Sequence, residues 1–299
     1  MVDVVATNKT SKKTLEQDKE FMSAKSDIIF KLLFGNELNK DLLIRFLTAV
    51  LKLPLNEYTD IQIIDPQTRR KYKDDKLSIL DVKLKTATGK IINIEIQVQI
   101  TSKMRKRILF YIAKMVSEQL KSAEDYDSIK KTVSIVITGE RLIHEHEEYH
   151  DVFTVYSSKT NTEFTDVVEI HTLELPKLPK VSDGTELCDW LEFINADSEE
   201  ELNMLAQKNA QMKVPVDRLL ELNHDSDARA LFEAREKQRR DNMSRERKAR
   251  REGKQEGLIE GRLEGMYDVA RKLIESNMAV ENISGITGLT IKEIENCKL

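Results

Sequence analysis

An α/β fold is the class that the sequence predicts, and three patterns along the chain lead to it. Apolar and polar residues alternate over residues 80–84 and 91–98, which indicates two β-strands. Residues 132–138 form a continuous run rich in β-branched side chains, as expected of a buried strand. Helical patterns precede, separate and follow these segments, so helices and strands follow one another along the chain.

The first predicted elements are two helices and a short strand. Asp27 precedes an apolar helical segment, and Asp is a residue type that caps helix N-termini. Residues 38–52 repeat apolar side chains at 3.6-residue spacing and predict a second helix, and residues 61–65 predict a strand. The apolar face of the second helix consists of Leu42, Leu43, Phe46, Leu47, Val50 and Leu51.

The alternating segments predict a hairpin with a defined register. A one-residue slip would turn one strand inside out, so the two apolar sets share a core only if side-chain parity matches. That register places Asp81 opposite Glu95 and Lys83 opposite Asn93. It leaves a three-residue loop, residues 87–89, whose final glycine takes a positive φ.

Asp81 and Glu95 then predict a divalent metal site. Two carboxylates directly across a strand pair repel each other unless a cation lies between them. Oxygen ligands without Cys or His favour Mg²⁺, with Mn²⁺ or Ca²⁺ as alternatives. Gln97 follows Glu95 on the same face of the strand. The other interpretation is a solvated strand face without a metal.

A basic segment opens the next predicted helix. Lys103, Arg105, Lys106 and Arg107 place four cations at a helix N-terminus, where they oppose the helix dipole. The arrangement is favourable if the cations and the free amides hold an anion together, and a nucleic-acid backbone is the natural candidate. The alternative is a solvated basic turn.

Composition predicts a protein of the cytoplasm and no membrane span. The two cysteines stand far apart in sequence, which is typical of a reducing compartment. No run approaches the roughly 20 apolar residues of a membrane helix. The net charge of −4 means that any DNA contact depends on local basic patches. The segment 144–151, rich in His and Glu, is interpreted as an exposed loop or short helix rather than a zinc site.

Two strands, at 152–156 and 167–175, and then a mostly helical region are predicted to follow. Within that region Glu-Gly pairs recur every four residues from 252 to 265. Each interior glycine costs a helix about 1 kcal/mol relative to alanine. Close packing of helices would compensate, and apolar residues from 259 to 273 resemble a short coiled-coil seam. We therefore expect either self-association through these helices or a flexible charged linker.

The last segment has the outline of a helix-turn-helix, with a turn at 287–289. Its second helix is acidic, so a packing or pairing module competes with DNA binding there. The predicted divisions are a disordered arm (1–20), a core (21–184), a helical extension (185–227), a charged glycine-repeat stalk (228–266) and this terminal module (267–299).

Several ordered motifs in the chain resemble those of the recombination-promoting nuclease, or PD-(D/E)XK transposase, family. The resemblance spans about residues 22 to 195 and rests on the order of its motifs rather than on any one of them. The matching segments are Asp27-Ile28-Ile29-Phe30-Lys31-Leu32-Leu33-Phe34-Gly35, Leu80-Asp81-Val82, Glu95-Ile96-Gln97, Arg107 with Tyr111, Glu174-Leu175-Pro176-Lys177, and Trp190 with Phe193.

The resemblance implies a restriction-endonuclease-like mixed sheet flanked by helices, followed here by a helical C-terminal extension. It also implies hydrolysis of DNA phosphodiesters with a divalent metal. Asp81 matches the metal-binding Asp of the superfamily, and Glu95 matches its (D/E) position. Gln97 stands where the superfamily usually has Lys, so it would orient a water without taking its proton, while Lys83 would supply positive charge.

Asp27 would be an accessory to this site, and Lys31 a phosphate contact or part of a solvated face. Three functions therefore follow from the sequence. The first is a metal-dependent DNA endonuclease of recombination or transposition. The second is a catalytically silent DNA-binding relative. The third is an oligomeric interaction protein built on the C-terminal helices.

Overall fold

The structure is a computed structural model and describes residues 20–52, 60–64, 82–120 and 125–297. A six-stranded sheet has the order β1-β2-β3-β4-β6-β5. The β3-β4 and β4-β6 pairs are parallel and the other three are antiparallel, so the predicted α/β class with a mixed sheet is confirmed. The strands are β1 (Gln62–Ile64), β2 (Val82–Lys85), β3 (Ile91–Gln97), β4 (Thr132–Thr138), β5 (His150–Tyr156) and β6 (Glu163–Glu174).

Helices cover both sides of this sheet and form most of the rest of the described chain. Those before β6 are α1 (Asp27–Phe34), α2 (Lys40–Leu51) and α3 (Met104–Ser117). Those after it are α4 (Glu186–Asn195), α5 (Glu199–Lys208), α6 (Lys213–His224), α7 (Ser226–Glu275), α8 (Val280–Thr287) and α9 (Ile291–Asn296).

The predicted hairpin register is present where the structure describes it. Lys83 pairs with Asn93 across β2 and β3. The backbone N–H of Thr86 donates to the carbonyl of Lys90 at 3.0 Å and closes the three-residue loop. Gly89 has φ +89, as expected for the last position of such a loop. Asp81 lies outside the described residues.

One side of the sheet packs on a large aliphatic and aromatic core. We call this side the apolar face; on β2, β3 and β4 it carries Val82, Leu84, Ile92, Ile94, Ile96, Val133, Ile135 and Ile137. Helices α1, α2 and α4 supply the facing aromatic rings. The ring centroid of Phe46, for example, lies 5.5 Å from that of Phe34 and 5.8 Å from that of Trp190.

The opposite side is the polar face, which carries Lys83, Asn93, Glu95, Gln97, Ser134, Val136, Thr138, Thr172 and Glu174. The alternation predicts strands with one solvated face, and for β3 this is wrong. Asn93 and Glu95 are buried, because Met104 and Ile108 of α3 pack against Val136 and cover this side. A central strand with helices on both sides is buried on both faces.

The chain divides into two compact units, with the boundary between Glu233 and Ala234, inside α7. In the first unit, α4, α5 and α6 contribute buried side chains to the same core as the sheet. In the second, the end of α7 packs with α8 and α9 around Ala270, Ile283, Leu289 and Ile294. The sequence-derived domain boundaries stay a prediction.

The terminal helices have the predicted helix-turn-helix outline, with Gly288 at φ +74 in the turn. In α9, Glu293 accepts a hydrogen bond from the backbone of Thr290 in a capping box, so this acidic side chain stabilises the start of the helix. Across the described ranges, we find no helix with the length and apolarity that a bilayer crossing requires.

Candidate active site

Glu95 lies at the centre of the sheet, on β3, with its carboxylate on the polar face. Its side chain is 3% exposed. One oxygen, Oε1, accepts a hydrogen bond from Nδ2 of Asn93 at 3.3 Å, and the other, Oε2, has no hydrogen-bond partner. Burial raises the pKa of Glu95, and the positive charge of Arg107 and the bond from Asn93 oppose that rise. A buried carboxylate with a bare oxygen is costly unless a cation completes it.

Asn93 adds a second unpaired oxygen to the same place. Its side chain is fully buried, and its Oδ1 atom also lacks a partner. Asn93 precedes Glu95 by two residues, so both side chains point to the polar face. Two buried acceptor oxygens without donors, on side chains that contact each other, form a site that a hard cation would satisfy.

Lys83 lies on the same face of the sheet, on the neighbouring strand, and its ammonium faces Glu118. It pairs with Asn93 in the hairpin, and its side chain is 12% exposed. Burial lowers the pKa of Lys83, Glu118 at 4.0 Å raises it, and the nearby charge of Lys114 lowers it further. The polar face thus holds a lysine that releases its proton more readily than a solvated one.

Gln97 and Arg107 complete the described part of the site at the end of β3. Nη1 of Arg107 donates to Oε1 of Gln97 at 3.5 Å, a long contact. The guanidinium also lies over the ring of Tyr111, 5.5 Å from its centroid. Arg107 itself is exposed, so its charge is available at the surface beside Gln97.

The residues present suit a divalent metal, which would be held by oxygen atoms. Glu95 Oε2 and Asn93 Oδ1 are buried acceptors without donors, and Mg²⁺ binds such oxygens. Within the described ranges, no group of three or more His, Cys, Asp or Glu side chains could by itself hold a metal. The second predicted ligand, Asp81, is outside those ranges.

A buried ion pair fastens the loop that follows β4 near this site. Nζ of Lys177 lies 3.0 Å from Oε1 of Glu174, and both side chains are almost completely buried. Glu174 also accepts hydrogen bonds from the backbone N–H groups of Leu142 and Ile143. The Glu-Leu-Pro-Lys motif therefore has a structural role, in which it fixes the loop at the carboxyl ends of β4 and β6.

That same loop engages one of the predicted DNA-binding cations. Nη2 of Arg105 donates to the carbonyl of Leu142 at 2.9 Å and to Oε2 of Glu145 at 2.9 Å. Arg141 is paired in a similar way with Glu147. A groove of about 470 Å³ lies between the start of α3 and this loop, and Arg105, Arg141 and His144 contribute to its lining.

The histidine side chains in and next to the His-rich segment, residues 144–151, contact different partners. His146 pairs with Asp151 at 2.9 Å. Nε2 of His150 lies 2.9 Å from Nδ1 of His171, whose other nitrogen meets Glu169 at 2.7 Å. Burial and the charge of His171 lower the pKa of His150 to about 4.

The remaining predicted residues lie in two other places. Asp27 and Lys31 belong to α1, whose buried side chains pack on the apolar face. Ser26 occupies the N-cap position and Asp27 is the first residue of the helix; the Oδ1 atom of Asp27 accepts a hydrogen bond from the backbone N–H of Ile28 at 2.9 Å, so Asp27 stabilises the helix start from inside the first turn. Lys103 and Lys106 are exposed at the start of α3.

Asn93 and the ion pair of Glu174 and Lys177 carry no predicted site role. For Asn93 the available signal is an amide two residues before Glu95 in a strand that is otherwise aliphatic. For the ion pair it is a carboxylate and an ammonium three residues apart around a Leu-Pro step, directly after a strand.

Comparison with known proteins assigns the chain to a family. A search of curated proteins and a search of solved structures each return no match. The family model for PD-(D/E)XK nuclease family transposases matches residues 24–249, well over half of the chain. Members of this kind are nuclease-related proteins, which generally act on DNA with a divalent metal. The chain belongs to the PD-(D/E)XK nuclease family transposases.

Proposed function

We propose that this protein is a metal-dependent DNA endonuclease that hydrolyses phosphodiester bonds in recombination or transposition. One observation carries the proposal. Glu95 stands at the position that we match to the (D/E) residue of the family motif. It is buried, and one of its carboxylate oxygens has no hydrogen-bond partner; the same is true of the side-chain oxygen of the neighbouring Asn93. If these two residues had no such function, a well-packed pair of apolar side chains at the same place would be at least as stable.

The metal ligands that we propose are Glu95, Asn93 and Asp81. The case for Asp81 rests on sequence alternation and on its match to the family motif, together with the described pairing of Lys83 with Asn93. Mg²⁺ is the proposed ion, with Mn²⁺ or Ca²⁺ as alternatives, because all the ligand atoms are oxygens. When bound, the ion supplies an acidified water and neutralises charge on the phosphate.

The chain's own residues would position the water and the phosphate. Gln97 would orient the attacking water by hydrogen bonds, since an amide does not take its proton. Lys83 would face the developing negative charge, and its lowered pKa suits a group that shares its proton. Arg107, Lys103 and Lys106 would hold the phosphate backbone at the start of α3. Asp27 and Lys31 stay accessory candidates.

Nicking of supercoiled plasmid tests this function. Wild type would be compared with Glu95→Gln and Asp81→Ala in Mg²⁺, Mn²⁺ and Ca²⁺, and each variant should lose activity by about 100-fold or more. Asp189→Asn is a matched control, because it also turns a buried carboxylate into an amide, far along the chain on α4. Nicking that does not depend on a divalent metal, or that persists in the Glu95→Gln variant, would refute the proposal.

A catalytically silent DNA-binding protein is the second candidate, since Gln97 replaces the usual lysine. It predicts that the protein shifts DNA in a gel with chelator present but never nicks it. Retained binding without nicking in any of the three metals would favour this candidate over the enzyme.

We also propose self-association through the C-terminal helices, which is the third candidate when it stands without nuclease activity. A Cβ added at Gly253, Gly257, Gly261 or Gly265 would meet nothing within 4 Å. Nothing within the described chain thus explains these glycines, and close contact with a second copy would. Leu258, Ile259 and Leu263 are exposed beside them.

Light scattering tests the association. Replacement of Leu258, Ile259 and Leu263 by Gln should reduce the mass to that of a monomer, and truncation after Glu233, which keeps the buried Phe232, should do the same. A wild-type chain that is already monomeric would refute the proposed self-association.

The two free cysteines, Cys188 and Cys297, support the further proposal of a cytoplasmic location.

A further inference from the structure

A basic surface runs along one side of α7, in the second compact unit. We call it the basic face; its members lie within an arc of about 120° around the helix axis, at roughly 100° per residue, and all are exposed. Because a helix rises 1.5 Å per residue, the face extends over roughly 26 Å. It consists of Lys237, Arg240, Arg247, Lys248, Arg251 and Lys254.

Three of the four carboxylates of this stretch lie elsewhere on the helix, and the fourth, Glu236, lies one turn before Arg240 but is paired with Arg239. At roughly 100° per residue, Asp241 and Glu252 project about 100° or more away from Arg240, and Glu246 projects to the opposite flank. The segregation of charge matters, because interspersed carboxylates would neutralise the arginines along the helix. The basic face therefore keeps its positive potential.

Three arginines of the face are without partners in the described chain. Arg240, Arg247 and Arg251 form no hydrogen bond or ion pair there, whereas Arg239 is paired with Glu236 at 2.8 Å and Lys248 approaches Glu252 at 3.8 Å. The three arginines, with Arg239 and Lys248, line an open groove of about 660 Å³ that has no acidic residue in its lining.

The local charge is opposite in sign to that of the whole chain. Residues 235–254 contain ten Lys or Arg and four Asp or Glu, a net charge of +6, while the chain as a whole carries −4. A positive field confined to one helix attracts a polyanion even though the chain as a whole is acidic.

The composition of the face indicates which polyanion it suits. A helix that lies on an anionic membrane needs an apolar side of residues such as Trp, Phe or Leu, and between 235 and 254 the apolar residues are Met243 and Ala249. Seven of the ten cations are arginines, whose planar fork matches phosphate oxygens in bidentate geometry. These features favour a nucleic-acid backbone over a lipid surface.

We propose that the basic face of α7 is a second DNA-binding surface, which holds the phosphate backbone of duplex DNA through Arg240, Arg247 and Arg251. The choice of DNA among polyanions rests on the proposed function. Phosphate contacts do not read sequence, so this surface provides affinity and leaves specificity to other parts of the protein. Two contacts with one DNA molecule would also raise the effective concentration of the substrate at the candidate active site.

The test measures binding of the full-length protein to a short fluorescent DNA duplex by anisotropy, in chelator so that no cleavage occurs. The test variant is Arg240→Gln, Arg247→Gln and Arg251→Gln together. The control is Arg235→Gln, Arg245→Gln and Arg250→Gln together, which removes the same charge from residues of the same helix that do not line the groove. Circular dichroism confirms that both variants keep their helix.

The expected result is a difference in salt dependence between about 50 and 200 mM. Each lost phosphate contact lowers the slope of log affinity against log salt by about 0.9, so the test variant should lose about 2.7. The control should lose less than about 0.9, the effect of one contact. Equal slopes for the two variants would overturn the proposal.

A vesicle arm separates DNA from lipid. Wild type and the test variant would be sedimented with vesicles of neutral and anionic phospholipid, and no difference between them is expected. A vesicle affinity that the test variant alone loses, with unchanged DNA binding, would reassign the face to a membrane. If the proposed nuclease function fails, nicking is absent but the difference in slope between the two variants stays.

Discussion

The two faces of the central sheet bury side chains of very different chemistry. On the apolar face, Ile94 and Ile135 belong to the same core as the aromatic rings and have no side-chain polar atom to satisfy. On the polar face lie four of the six described buried side-chain atoms without a hydrogen-bond partner, in Asn93, Glu95, Thr138 and Thr172. Unpaired buried polar atoms cost stability. The apolar face therefore holds the fold together, and the polar face carries the candidate chemistry.

The sharpest test of this division is a cavity on the apolar face. Phe46→Ala should lower the free energy of unfolding by about 3–5 kcal/mol, because a fully buried ring is removed between Phe34 and Trp190. Urea unfolding monitored by the fluorescence of the single tryptophan measures it. Phe46→Leu should cost much less. A loss under about 1 kcal/mol for the alanine would mean that this face is not where stability resides.

The buried ion pair is the one place where the polar face should matter as much for stability. Lys177→Met leaves the carboxylate of Glu174 buried without its cation and should cost about 3–5 kcal/mol. Adding Glu174→Gln should recover most of that loss, because the amide still accepts from Leu142 and Ile143. A double variant no more stable than the single one would contradict this account.

Metal should stabilise the polar face without any reaction. At a Mg²⁺ concentration about 100 times its dissociation constant, the wild-type free energy of unfolding should rise by about 2.7 kcal/mol. Glu95→Gln should abolish that rise, while Asp189→Asn should keep it. Thermal unfolding with and without Mg²⁺ measures the effect. An equal rise in Glu95→Gln would place the ion elsewhere.

The smallest expected effect is the pH dependence that Glu95 confers on the metal-free protein. Burial raises the pKa of Glu95 above its usual 4.5, so the folded state binds this proton more tightly than the unfolded state. The resulting stability is fully present below pH 4.5 and is lost as the pH rises through the raised pKa. Glu95→Gln should thus gain stability relative to wild type as the pH rises from 4 to 8, which urea unfolding at the two pH values measures. A constant difference would indicate that Glu95 is not buried in solution.

Much of the fold was predictable because it follows from local patterns. The run at 132–138 became β4, and the 3.6-residue period at 38–52 became α2. The register of β2 on β3 followed from side-chain parity and from a loop that needs a positive φ at Gly89. Such patterns depend only on neighbours along the chain, which the sequence contains.

The site was predictable only in part, because burial is a property of the assembled protein. Alternation placed Glu95 and Gln97 on one side of a strand but could not reveal that α3 would cover Glu95. For the same reason the role of Asn93 and the capture of Arg105 by Glu145 were missed, since each depends on residues that the chain brings together from elsewhere.

By itself the sequence determined the class of fold, the hairpin and the identity of the carboxylate at position 95, because these follow from periodicity and from residue type. The tertiary structure alone decided that this carboxylate lies out of water with an unpaired oxygen. The physical reason is that desolvation and hydrogen-bond partners arise from packing between distant segments, and it is this packing that turns an ordinary glutamate into a candidate metal ligand.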